Sequence, residues 1–181
     1  MVEGPDGIAV LRADHGRIRE LLDRVELEAE AAPKETFDEL MQELSVHSAL
    51  EIELLYPLVS RSLEGGGDLA KGGRLDHEEI EMTVYRLQKL PYSKQEFREE
   101  LAKLIVDVRH HLGDEEGLMF PALEQQASVE DLLDLGRRLE KARGWAPTHP
   151  HPSAPKAKAA ARVANRVTGV VDRLSDRIHH R

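Results

Sequence analysis

Apolar side chains recur along this chain in steps of three and four, the spacing that lays them along one stripe of an α-helix. The first stripe reads Ile8, Leu11, His15, Ile18, Leu22, Val25. Asp6 suits its N-cap, and Pro33 predicts an end near Ala31. The second stripe is Phe37, Leu40, Leu44, His47, Glu51, Leu54, Leu58. Pro57 inside it predicts a kink, and the three glycines from Gly65 a stop. A third helix is expected between Gly72-Gly73 and Pro91, with His77, Ile80, Glu81, Val84 and Leu87 on its stripe. Ser93 and Glu96 have capping-box spacing for a fourth, whose stripe is Phe97, Leu101, Leu104, Val108, His111, Glu115, Leu118, Ala122. Four long amphipathic helices with short connections predict an all-α protein, an antiparallel four-helix bundle.

Two further elements extend the bundle. Ser128 and Asp131 form another capping box, opening a short fifth helix to about Arg143. Residues 145–155 carry four prolines and read as a semi-rigid linker. Residues 156–181 then read as a basic amphipathic helix, with Val163, Val167, Val170, Leu174 and Ile178 on one side and Arg162, Arg166, Arg173 and Arg177 around the others. The expected division is a bundle at 1–144, a linker at 145–155 and a C-terminal helix at 156–181.

Charge respects that division. Residues 1–144 hold 18 Lys and Arg against 32 Asp and Glu, a balance of −14, and residues 145–181 hold 7 against 2, a balance of +5. An acidic body argues against nucleic-acid binding, which draws on basic side chains that release counterions. The C-terminal helix lacks the Trp and Phe anchors that strengthen interfacial insertion, so docking on the bundle or on a protein partner is favoured over a membrane surface. No apolar run approaches the roughly 18 to 20 residues of a membrane span, and the N-terminus lacks a signal peptide's pattern. The expected setting is cytoplasmic, and the expected state a monomer or weak homodimer.

Within the four stripes, seven positions hold ligand-type side chains where a core Leu or Ile would otherwise stand: His15, His47, Glu51, His77, Glu81, His111 and Glu115. They repeat. His47-x3-Glu51-x4-Tyr56-Pro57 matches His111-x3-Glu115-x4-Phe120-Pro121, and Asp14-His15 matches Asp76-His77. Residues four apart share a helix face, so each half aims imidazole and carboxylate at one point. Burying a lone carboxylate costs more than a helix recovers, so these groups must be paired or coordinated. There is no cysteine, which excludes thiolate ligands and leaves metals bound by nitrogen and oxygen. Four imidazoles with two or three carboxylates exceed the four ligands of a tetrahedral zinc and suit two carboxylate-bridged ions, iron or manganese, with zinc as competitor.

At these residues the chain resembles the hemerythrin-like, or HHE cation-binding, family over about residues 6–127. The resemblance rests on His15, His47-x3-Glu51, His77, His111-x3-Glu115 and the Tyr56-Pro57 and Phe120-Pro121 pairs. It implies two non-haem irons, oxo- and carboxylate-bridged, held by terminal histidines with Glu51 and Glu115 between them. Oxygen-carrying members have His-x3-His in the third helix, where this chain has His77-x3-Glu81, and a longer His-to-Asp spacing in the fourth, where it has His111-x3-Glu115. An anionic ligand replacing a neutral one favours the ferric state, which points away from reversible oxygen transport. The expectation is a di-iron oxidoreductase acting on hydrogen peroxide, catalase- or peroxidase-like, or on nitric oxide. The alternative is a protein that binds or senses oxygen, nitric oxide or iron without turnover.

Overall fold

The computed structural model describes residues 4–27 and 34–144; the linker and C-terminal helix expected at 145–181 lie outside them. Five helical stretches succeed one another. α1 is Gly7–Leu27. α2 runs in three continuous segments, Lys34–Leu50, a π-helical turn Glu51–Leu55, and Tyr56–Ser62. α3 is Gly66–Leu87. α4 repeats the design of α2 as Gln95–Asp114, a π turn Glu115–Met119, and Phe120–Gln126. α5 is Val129–Arg143.

Asp6 caps α1 as its position suggests, its Oδ1 accepting from the N–H of Ile8 at 2.7 Å and of Ala9 at 3.4 Å. Ser128 caps α5: its Oγ accepts from the Asp131 N–H at 3.1 Å and donates to the Asp131 carboxylate at 2.7 Å. The box expected at Ser93 and Glu96 does not form. α4 starts one residue later, with Lys94 at the cap in extended conformation and no side-chain cap bond.

The third helix also departs from expectation, because it begins at Gly66 and runs straight through Gly72 and Gly73. The reversal lies just before it, at Gly65, whose φ of 68° is the left-handed region open to glycine. Gly73 is a packing glycine, not a boundary: a Cβ there would sit 2.6 Å from the Tyr56 hydroxyl.

Ion pairs between helices report the direction of each. Arg17 and Arg24 reach Glu43 and Glu39 across α1 and α2, Glu79 and Arg86 meet Lys103 and Glu100 across α3 and α4, and Arg12, Arg19 and Arg109 link α1 to α4 at Glu124, Glu116 and Asp23. In every pair one number rises as the other falls, so neighbouring helices run antiparallel, up-down-up-down. These exposed pairs add little stability individually; the fold rests on burial.

That burial is divided. One apolar cluster gathers Ile18, Leu22, Phe37, Leu40, Val84, Phe97, Leu104 and Val108 at one end, closed by edge-on contacts among Phe37, Tyr92 and Phe97. The other gathers Ile8, Leu11, Leu54, Leu58, Phe120 and Leu123, with α5 laid across it through Leu132, Leu135 and Leu139. A fully buried aliphatic or aromatic side chain is worth about 1.5–3 kcal/mol, so both clusters resist opening, and a polar layer lies between them. No helix among the described residues is long and apolar enough to cross a membrane.

The two adjacent glycines of α3 give a direct test. Gly73→Ala forces a methyl group against Tyr56 and is expected to destabilise by about 1–3 kcal/mol. Gly72→Ala meets nothing within 4 Å and is expected to stabilise by up to about 1 kcal/mol through helix propensity. Urea unfolding midpoints of the two variants, moving in opposite directions, are the measurement.

Candidate metal centre

The polar layer is built by one turn of each of four helices. His15 of α1, His47 and Glu51 of α2, His77 of α3, and His111 and Glu115 of α4 are all buried. They fall into two groups, His15, His47, Glu51 and Glu115, and Glu51, His77, His111 and Glu115, each with ligand atoms within 4.8 Å of one another. Both carboxylates belong to both groups. Glu51 Oε2 lies 3.1 Å from His47 Nε2, 2.8 Å from His77 Nε2 and 3.7 Å from His111 Nε2. Glu115 Oε2 lies 3.4 Å from His15 Nε2 and 3.9 Å from His111 Nε2.

Five inward-facing atoms of this set, His15 Nε2, His47 Nε2, His111 Nε2, Glu51 Oε1 and Glu115 Oε2, have no hydrogen-bond partner although fully buried. An unsatisfied buried polar atom costs about 1–3 kcal/mol, so a protein does not gather five of them without a ligand to satisfy them. Imidazole nitrogens and carboxylate oxygens converging on two points fit two cations. Six of the seven candidates from the sequence thus come together. The seventh, Glu81, is only partly buried and belongs to neither group. The neighbouring His110, with its side chain 74% exposed and turned toward Asp114, is outside as well.

The hemerythrin HHE cation-binding domain model matches residues 6–123. The chain belongs to that family. It is 29% identical over 140 residues to an uncharacterised hemerythrin-like protein of Schizosaccharomyces pombe, covering 77% of this chain and 69% of that one. It is 31% identical over 126 residues to a DNA nickase of Nostoc, but that match covers 67% of this chain and only 34% of the other. Its fold matches a crystal structure of a hemerythrin HHE cation-binding domain-containing protein from Mycobacterium kansasii with a TM-score of 0.67 and 25% identity, over 87% of this chain and 97% of that one.

In this hemerythrin-like bundle the π turns decide which side chains line the centre. Nine residues of plain α-helix would put Tyr56 almost opposite His47. Instead, the Tyr56 N–H reaches back five residues to the Glu51 carbonyl, one residue is absorbed without advancing the helix, and Tyr56 stands one turn below Glu51 on the same face. Its hydroxyl donates to Glu115 Oε1 at 2.9 Å, and its ring lies 5.7 Å from that of His77. The Phe120 N–H reaches back to Glu115 in the same way, setting the Phe120 ring 5.2 Å from His15. The slip also explains why Leu118 is exposed while Met119, Phe120 and Leu123 are buried.

Each π turn precedes a proline, which has no N–H to give. The Ile52 carbonyl therefore loses its main-chain donors at both Tyr56 and Pro57, and Arg74 supplies one, at 3.2 Å, with its guanidinium 5.3 Å above the Tyr56 ring. Arg12 lies over Phe120 at 5.4 Å in the other half. Both arginines belong to a longer repeat than the Asp-His pairs alone, Arg12-Ala-Asp14-His15 and Arg74-Leu-Asp76-His77, so the two Arg-x-Asp-His segments are the signal by which the sequence marks them. Ser48, whose Oγ is 2.6 Å from His77 Nδ1, has no such signal.

Crowding sets the protonation states. Burial and the charge of Glu51 push the Glu115 carboxyl up to about 7. Burial opposes charge on His15, but the nearby carboxylates of Glu115 and Glu51 outweigh that and raise it to about 9; His111, also opposed by burial, is raised for the same kind of reason, led by Glu51. Burial lowers His47 and His77, while Glu51, opposed by burial but surrounded by His47, His111, His15 and His77, is held well below the carboxylate range. Burial, then Glu51 and Glu115, hold the Tyr56 phenol protonated.

These shifts make the metal-free protein sensitive to pH. Within the buried layer the raised groups Glu115, His15 and His111 are those that lose stability as pH rises, because a raised group stabilises below its unfolded value and ceases to as pH passes its folded one. Stability is therefore expected to fall between about pH 6.5 and 9. Metal binding displaces the same protons, so affinity should rise over that window. Urea unfolding of chelator-treated protein at pH 6.5 and 9, with calorimetric titration in two buffers to count released protons, checks both.

Proposed function

We propose that this chain is a non-haem di-iron oxidoreductase whose substrate is hydrogen peroxide. The observation that carries the reading is the sharing of Glu51 and Glu115 by two groups of buried ligands, the arrangement expected of two ions bridged by carboxylates. His15 and His47 would be terminal ligands on one side, His77 and His111 on the other. Mixed imidazole and carboxylate donors without thiolate suit iron. When bound, such a pair supplies two electrons to one peroxide, giving water, and recovers them from a second, giving dioxygen.

The protein's own contribution is to hold and enclose. Glu116, itself bound by Arg19, accepts from His15 Nδ1–H at 2.9 Å, and Asp76 lies 3.6 Å from His111 Nδ1. Such outer contacts orient imidazole ligands and raise their basicity. The Tyr56 hydroxyl steadies Glu115 from inside, while Phe120 presents an apolar wall at His15. The apolar clusters above and below keep bulk water away, which suits a small uncharged substrate. Nitric oxide is the other small substrate compatible with a site so enclosed.

Iron-loaded protein is expected to hold about two irons per chain and to evolve oxygen from peroxide over many turnovers. His47→Ala and His111→Ala should each lose iron and activity while circular dichroism stays helical, and His110→Ala and Glu81→Gln should keep both. One tightly held zinc in place of an iron pair would overturn the reading. Stable oxygen or nitric oxide adducts without turnover would replace the enzyme by a binding protein.

A further inference from the structure

The duplication is broken behind one histidine, His47. His15, His77 and His111 each have a partner near the outer nitrogen, in Glu116, Ser48 and Asp76. His47 has none: both its ring nitrogens are buried without a hydrogen bond. In the second half the carboxylate beside His111 Nδ1, at 3.6 Å, is that of Asp76, the residue before His77. Its counterpart in the first half is Asp14, the residue before His15.

Arg17–Glu43 and Arg24–Glu39 set the antiparallel register of α1 and α2, and the His15 ring stands 4.9 Å from that of His47, which puts Asp14 level with His47. Asp14 is mostly buried. Its carboxylate is taken instead by Arg143, the last residue of α5. α5 comes after both repeats and lies across α1, so only the first half receives such a cation.

We propose that Arg143 is a positioning residue for the metal centre: by holding Asp14 it leaves His47 without the outer carboxylate that His111 has, and makes the cation position at His15 and His47 the weaker of the two. This rests on the two-cation reading above. An imidazole whose outer N–H is held by a carboxylate is fixed in tautomer and orientation, and losing such a partner costs roughly 10–100-fold in metal affinity. The two positions, equal by ligand type, become unequal through the group that stands behind one ligand.

The test is a titration of the metal-free full-length chain with Co2+, monitored by calorimetry and visible absorption, which reads binding without turnover. The unmodified protein should bind in two steps about tenfold or more apart. Arg143→Met should tighten the weaker step about tenfold and leave the tighter one in place; Arg143→Lys, which keeps a cation beside Asp14, should retain the separation. Asp14→Asn alone should change neither step, and in the Arg143→Met background it should abolish the gain. Steps unmoved by Arg143→Met overturn the proposal. So does a weaker first position in Asp14→Asn, which would mean that Asp14 already serves His47, and this arm decides if Arg143→Met fails to fold. Uptake of a single Co2+ by the unmodified chain overturns the two-cation reading itself.

Discussion

Two carboxylates and four imidazoles at the waist of an apolar bundle set the terms for everything around them. Isolated, each would cost more to bury than a helix returns; together they lower one another's cost, and five of their atoms still lack a partner. The apolar clusters to either side hold that layer closed. Four helices are needed because no one helix can direct more than two such side chains at a point: α2 and α4 give a histidine and a glutamate four residues apart, α1 and α3 one histidine each.

The π turns are the local counterpart of that constraint. A helix that continued as plain α past Glu51 would meet Pro57 with its ring against a carbonyl four residues back. Widening by one residue relieves the clash and rotates the succeeding turns, bringing Tyr56 and Phe120 beneath the two glutamates. The widening orphans a carbonyl, which Arg74 answers in the first turn. Proline, π turn, arginine and aromatic are thus one device, present twice. π turns occur often at functional sites, and here the reason is that the slip sets a hydroxyl on Glu115 and an apolar ring on His15.

Duplication does not make the halves equal. Tyr56 and Phe120 differ by a hydroxyl, and that hydroxyl reaches Glu115, a carboxylate that both groups share. Ser48 stands behind His77 where a leucine, Leu112, occupies the matching place in the repeat. The fifth helix adds Arg143 to one side alone. Two like groups of buried imidazoles and carboxylates are therefore seated in unlike surroundings.

The chain by itself determined the class of fold, the order of the helices and the six His and Glu side chains that the structure gathers in one buried layer, because the period of a helix and the chemistry of a side chain exist before any helix meets another. His111 was distinguishable from His110 on period alone. Glu81, on the same stripe, read like the other six, and its place outside both groups depends on how the helices pack. Nor was the phase after each glutamate legible: period reading carries one residue per step through Pro57 and Pro121, whereas the packed helix drops one. Asp14 shows the same limit. Its neighbour His15 was evident, but its partner Arg143 lies 129 residues away, and only the packing of α5 on α1 brings the two together.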